Sequence, residues 1–411
     1  MKRFATALAG ALILLSACGG AAAPASSPAG AAAAASSAAA KPSTAAAPSS
    51  ASAKPAASSA ASAGASAKPA ASGAVNAAIP APGTSPNYNP TPLNPRVKVP
   101  FGDNTTLGTA PIFIAYEQGY FSAEGLDVDL IPTPALPQII QALGASQISF
   151  ATGNPDPALF NALDRGLDIK LLTSLVTNKP GDKPAAFLVR KDLIDSGKYK
   201  SPKDLKGMNV GVPAAQSEFY ADLFMKQDGL SGDDLNFQIL TPADILTAFA
   251  NKSIDAAWNV DPINTNVEKQ GLAKIVAVTG DLFPGAVGVT LAVSPGFAKQ
   301  QPEATQRFVT AFLRGLRDYY HAFFKKDIDK APYVQELIKH TPVKDPALYD
   351  QIGFGGVDPN GTLDAKSLAT WDVLQDYFVK HNLQQKKIDL SKYLDQSYIE
   401  KAVATLGKEP T

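Results

Sequence analysis

Cysteine is almost missing from this chain. Among 411 residues there are one Cys, three His, three Met and two Trp. The single Cys18 sits near the N-terminus, so the region after it has no internal disulfide, no cysteine nucleophile and no zinc–thiolate site. The three histidines are far apart in sequence, which argues against a histidine metal cluster. Acid is missing from one part of the chain. Residues 1–96 hold no Asp or Glu and only six bases: Lys2, Arg3, Lys41, Lys54, Lys68 and Arg96. All 37 acids therefore fall in 97–411 against 31 bases, a formal charge of −6. A mildly acidic region lacks the clustered basic face that nucleic-acid binding needs. The chain has no Gly-rich P-loop, no Gly-x-Ser-x-Gly elbow and no paired His-Glu metal motif. Acid pairs such as Asp233-Asp234 read as solvated turn residues. No cofactor is expected.

The N-terminal part reads as an address followed by a tether. Lys2 and Arg3 precede an apolar run, Phe4–Leu15, too short to span a bilayer stably. It ends in Leu15-Ser16-Ala17-Cys18, which resembles the bacterial lipobox, where the Cys is lipidated and becomes the mature N-terminus. The alternative is an ordinary secretory signal cut near the small residues. Residues 19–87 are mostly Ala, Ser, Pro and Gly, and ASAKPAAS occurs twice, at 51–58 and 65–72. Proline and serine interrupt the helix that alanine favours, and little large apolar surface is available, so a disordered linker is expected.

From Arg96 onward strand and helix signals alternate. Val97–Gly102, Leu126–Ile131 and Gln147–Ala151 read as strands around helices at Ile112–Phe121 and Pro137–Leu143. The same order returns about 106–111 residues later: strands Met208–Val212, Leu235–Leu240 and Ser253–Trp258 around helices Glu218–Gln227 and Ala243–Ala250. Thr133-Pro134 is matched by Thr241-Pro242. The readings left open are a duplicated lobe and the alternation common to α/β proteins. Strands joined by helical crossovers imply an α/β fold with mainly parallel sheets covered on both faces. The expected parts are 1–18 signal, 19–87 linker, 88–185 first part of lobe I, 186–290 lobe II, and 291–411 the return to lobe I. Ala186–Arg190 and Val289–Val293 are the expected crossings. Phe308, Phe312, Leu316 and Tyr319 form a core stripe on a helix over 302–324, and Trp371 reads as core.

Ligands of such sheets sit beyond the carboxyl ends of the strands. Four segments qualify. The loop Asp103–Thr109 offers Asn104, Thr106 and Thr109 before a helix opened by Pro111, as a binding loop or a plain cap. Ala214–Glu218 offers Gln216 and Ser217, with Ser217 a fair N-cap and the helix N-terminus a place for an anion. Thr152–Pro157 offers Asn154 and Asp156, as ligand groups or turn residues. Trp258–Pro262 offers Trp258 as an apolar wall and Asp261 as a ligand acceptor or a helix cap.

One segment carries a resemblance. Ala110–Val128, with Gly119-Tyr120-Phe121 and Glu124-Gly125-Leu126-Asp127-Val128, is similar to the opening of ABC-importer substrate-binding proteins for nitrate, sulfonates and thiamine-precursor pyrimidines. Ser201–Gly207, Ile254–Ala257, Asp261-Pro262, Asp358–Gly361, Ile388–Leu390 and Asp395–Tyr398 fit the same pattern in order. The resemblance covers roughly 97–406. It implies a two-lobed type II periplasmic-binding-protein fold with a hinge of two crossover strands and C-terminal helices returning to lobe I. It also implies a monomeric, non-enzymatic extracytoplasmic receptor. Such a receptor captures a small-molecule solute, a small organic molecule or an oxyanion, in the cleft between its lobes and passes it to an ABC permease with a separate ATPase, held to the membrane through lipidated Cys18. Alternatives are an input protein for a signalling partner, or an enzyme using the same cleft. The family often has an acid where Asn154 stands and an aromatic where Val260 stands. Its pyrimidine-synthesising branch relies on a cysteine-rich motif, which is absent after Cys18.

Overall fold

The structure, a computed structural model, describes residues 88–103, 106–133 and 136–411. Cys18, the signal, the linker and Asn104 lie outside the described residues. Ten strands are named: β1 Val97–Asp103, β2 Leu126–Pro132, β3 Phe150–Gly153, β4 Lys170–Thr177, β5 Ala185–Arg190, β6 Asn209–Val212, β7 Asn236–Ile239, β8 Ala256–Val260, β9 Ala273–Val278 and β10 Val287–Val293. Helices of eight residues or more are labelled α1 Ala110–Glu117, α2 Leu136–Gly144, α3 Pro157–Asp164, α4 Ala215–Lys226, α5 Pro242–Ala250, α6 Pro302–Tyr319, α7 Ala331–His340, α8 Ala365–Lys380 and α9 Ser397–Leu406.

The strands form two five-stranded sheets, ordered β2-β1-β3-β10-β4 in lobe I and β7-β6-β8-β5-β9 in lobe II. In lobe I, β1 runs parallel to β2 and β3, while β10 is antiparallel to β3 and β4. In lobe II, β6 runs parallel to β7 and β8, while β5 is antiparallel to β8 and β9. The odd strand in each sheet, β5 or β10, is the one whose chain has just arrived from the other lobe. A chain leaving one sheet at its carboxyl edge and entering the next at its carboxyl edge must run against the strands already there. The two carboxyl edges therefore face the same crossing.

The segments expected as crossings, Ala186–Arg190 and Val289–Val293, lie inside the sheets as β5 and β10. The chain passes between lobes over 178–184 and 279–286, the latter containing a short helix, Thr279–Leu282. Lobe II is thus bounded by β5 and β9, and its end moves back from 290 to 278. Strand pairing overrides the change of sequence texture that suggested the later boundary.

The two halves share more than order. Phe101 pairs with Phe150 and Gly102 with Ala151; Val210 pairs with Ala256 and Gly211 with Ala257. A Cβ on Gly102 would lie 2.5 Å from Ile148 and 3.9 Å from Ile139, and one on Gly211 would lie 3.1 Å from Ile254 and 3.3 Å from Ile245. Both isoleucine pairs are 106 residues apart. Each lobe thus packs isoleucine side chains over a central-strand glycine, where a methyl group would collide with Ile148 at Gly102 and press on Ile254 and Ile245 at Gly211. This shared packing favours the duplicated-lobe reading.

Alternating strand residues build cores on both faces. Phe101, Phe150 and Leu172 pack with α1 and α6, while Ala151 and Leu171 face α2, α3 and α8. Phe308, Phe312, Leu316 and Tyr319 are all buried, and Phe308 stacks on Phe150 at 3.9 Å between ring centres. Trp371 is fully buried and donates to the Val287 carbonyl at 2.8 Å. The expected helix over 112–121 is broken at Gln118-Gly119 into α1 and a turn at Tyr120–Ala123.

Candidate functional site

β1 ends in Asp103, which is buried and whose carbonyl accepts from Thr133 N at 2.7 Å. Thr106 is exposed and opens a 3-10 turn, Leu107–Thr109. Thr109 is fully buried at the N-terminus of α1, with Pro111 in the first turn.

The end of β3 differs in character. Thr152 is 2% exposed, and both its Oγ1 and the Asn154 Oδ1 are buried without a hydrogen-bond partner. Unpartnered buried polar atoms cost about 1–3 kcal/mol each, and in native proteins they call for an explanation. Asp156 caps α3 by accepting from Ala158 N at 2.8 Å, and burial pushes its carboxyl up against that bond.

In lobe II, α4 begins at Ala215, a turn earlier than the expected Glu218. Alanine and glutamine favour helix, and packing of Phe219 and Tyr220 holds the added turn against the sheet. The N-cap is Ala214, with no side-chain cap, so Ser217 is not the N-cap expected from the sequence. It is a buried first-turn residue whose N–H donates to the Ala214 carbonyl at 2.9 Å. Gln216 Nε2 donates to Tyr220 Oη at 3.3 Å. Glu218 is half-buried, and desolvation raises its carboxyl.

Trp258, expected as an apolar wall, makes most of its contacts inside lobe II. It is 7% exposed, its Nε1–H donates to Thr279 Oγ1 at 2.9 Å, and its ring stacks on Tyr220 with centres 5.2 Å apart. Its indole therefore knits β8 to the crossing. Asp261 is likewise spent internally. Its Oδ1 accepts from Thr265 N and Oγ1 at 2.9 Å each in the first turn of the helix Ile263–Lys269, whose N-cap residue is Pro262, and its Oδ2 accepts from Gly353 N. Of the two roles open for Asp261, these bonds lie on the side of the helix start.

The Gly353 contact belongs to a strap that sequence reasoning missed. Gly353-Phe354-Gly355-Gly356 runs against the first crossing. A Cβ on Gly353 would lie 2.3 Å from the Lys183 carbonyl carbon, and one on Gly356 would lie 2.6 Å from the Thr177 oxygen. Three glycines in four residues were the available signal. A separate groove of about 580 Å³ between α2 and α3, lined by Ile140, Asn161 and Arg165 among others, holds none of the expected site residues. No group of three or more metal-ligating side chains occurs among the described residues.

The family model described as "NMT1/THI5 like" matches residues 107–322, just over half of the chain. The chain belongs to the NMT1/THI5-like family. The riboflavin-binding protein RibY of Chloroflexus aurantiacus is 29% identical over 245 residues, 58% of this chain and 66% of the relative, so the match spans slightly under two-thirds of that protein. Among solved structures, the alkanesulfonate-binding protein SsuA from Xanthomonas axonopodis pv. citri, bound to MOPS, aligns with a TM-score of 0.58 at 19% identity. That alignment covers 73% of this chain and 98% of SsuA. The desulfurization enzyme DSZB aligns with a TM-score of 0.56 at 18% identity, covering 75% and 99%. These likenesses show the two-lobed periplasmic-binding-protein fold, which hosts both binding proteins and an enzyme.

Proposed function

We propose that this protein is an extracytoplasmic solute receptor. It captures a small organic molecule between the carboxyl edges of its two sheets and delivers it to an ABC permease with a separate ATPase. The observation that carries this reading is the pair of buried, unpartnered polar atoms, Thr152 Oγ1 and Asn154 Oδ1, at the edge facing the interlobe crossing. A bound solute satisfies both and stabilises the lobe arrangement that presents them. Family membership and relatives named for riboflavin and sulfonate binding support the same reading. Lipid on Cys18 then holds the monomeric receptor at the membrane surface, since several acyl chains on one residue suffice for stable anchoring.

The chain hydrolyses nothing on this reading, although DSZB shares the fold. Both Asp261 oxygens are already engaged, and no cysteine follows Cys18 to serve as a nucleophile. Thermal unfolding of the full-length protein with riboflavin, pyrimidines, alkanesulfonates, nitrate, bicarbonate, aromatic carboxylates and amines tests the proposal. A one-site ligand at 100 times its Kd adds about 2.7 kcal/mol, a shift of several degrees. A solute that stabilises the protein and is recovered unchanged supports a receptor, whereas a solute returned chemically altered supports an enzyme.

A further inference from the structure

We propose that the solute taken by this cleft is neutral or cationic and carries N–H or O–H donors, and that oxyanions are rejected; this rests on the receptor reading above. The loops closing the four central strands span 103–109, 152–158, 213–218 and 259–263. They contain Asp103, Asp156, Glu218 and Asp261 and not one Lys, Arg or His. The two crossings do not redress this. Segment 178–184 adds Lys179, Asp182 and Lys183, and 279–286 adds Asp281, two cations against two acids. Lys179 places its ammonium 5.8 Å from the centre of the Tyr320 ring, and Lys183 is exposed. Asp281 Oδ1 accepts from Gly181 N at 2.8 Å, holding the crossings to each other.

A sulfonate or nitrate held between the sheets needs charge-assisted donors, most often the paired N–H groups of arginine. Here the available positive ends are the N-termini of α1 and α4, neither of which has a side-chain cap. A helix terminus is worth about half a unit charge, and Glu218 already occupies the first turn of α4. Four carboxyl groups against two half-charges leave the cleft with an excess of acidic groups. The unpartnered Asn154 Oδ1 is an acceptor, and Thr152 Oγ1 can accept as well as donate, so both suit a ligand that brings its own donors.

The test is isothermal titration of the full-length protein with benzenesulfonate, benzamide and benzylamine, one ring in three charge states, together with nitrate. In parallel, protein exposed to cell extract is washed and denatured, and mass spectrometry reads the charge of any released molecule. The expected result is benzamide or benzylamine binding at least tenfold tighter than either anion, or a neutral or cationic molecule released from the extract-treated protein. An anion that binds tightest, or is the molecule released, overturns the charge inference and leaves the receptor standing. No binding and no retained molecule overturns the receptor reading and this inference with it.

Discussion

Lobe I and lobe II share a strand order and a glycine packed under isoleucine, but they finish their central strands differently. Carried through the matching registers, Thr152 near the end of β3 stands where lobe II has Trp258 inside β8, and Asn154, just past β3, stands where lobe II has Val260, the last residue of β8. In lobe II most of the strand-end groups are bonded: the indole donor is used by Thr279, and the Asp261 carboxylate by Thr265 and Gly353, while Asn264 Oδ1 in the helix that follows is buried without a partner. In lobe I the strand end stays open, with two buried polar atoms unpartnered. The coverings differ as well. Lobe I carries α6, on which Arg314, Arg317, Asp318 and His321, just past its end, are buried among apolar neighbours. A shared strand order thus fixes where the strand ends lie, and local side chains decide which end is bonded internally and which, on the proposed reading, is left for a solute.

The sharpest way to break that comparison is to remove the indole. Trp258→Ala should cost about 3–5 kcal/mol, the usual loss for a large buried aromatic, read by urea denaturation. Thr152→Ala should cost under about 1 kcal/mol, because its hydroxyl gives up no bond. Equal losses would end the claim that the two strand ends play different parts.

The buried charge of lobe I predicts the next largest effect. Tyr120 Oη donates to Asp318 Oδ2 at 2.6 Å, and the Arg314 guanidinium lies 3.8 Å from the centre of the Tyr120 ring. Burial nevertheless pushes the Asp318 carboxyl up to about 7. The folded state therefore keeps a proton that the unfolded chain releases from about pH 4 upward. The stabilisation from that group is complete below pH 4 and is lost as pH rises through 7. Asp318→Asn removes the dependence, so its stability relative to the parent should rise by about 2–3 kcal/mol between pH 5 and pH 8. A difference independent of pH would show that Asp318 is ionised throughout.

Much of the frame was legible because it is local. Strand and helix periods, the returning order 106–111 residues on, and the Phe308–Tyr319 stripe are all read within short windows. The ends of elements were less legible. Ser217 looks like an N-cap because its hydroxyl suits one, yet packing of Phe219 and Tyr220 draws the helix start back to Ala215. Trp258 looks like a pocket wall because it follows a strand, but its partner Thr279 lies 21 residues away. Asp261 meets Gly353 across 92 residues. Whether a polar strand-end residue is spent or spare depends on such distant partners, and no pattern within a window encodes them.

Asp261 tests the closed end with a smaller effect. Asp261→Ala removes the carboxylate bonds to Thr265 and Gly353, charge-assisted contacts worth about 2 kcal/mol together once resolvation is counted. Denaturation should register that loss, and cleavage near Gly353 under limited proteolysis should quicken as the strap comes away from the crossing. Unchanged cleavage would mean that the strap is held by its glycine packing alone.

The smallest effect on stability is expected where the effect on binding is clearest. Asn154 contributes an oxygen that no protein group satisfies, so Asn154→Ala removes nothing the fold uses and should leave the unfolding midpoint within about half a kcal/mol of the parent. A solute that does satisfy it loses one hydrogen bond, about 1 kcal/mol or some fivefold in Kd. Titrating whichever solute stabilises the parent protein separates the two outcomes. A fivefold or greater loss of affinity with an unchanged midpoint marks the end of β3 as the recognising edge. A lowered midpoint with unchanged affinity would mean that Asn154 is turn chemistry after all, and that lobe I closes its strand ends as lobe II does.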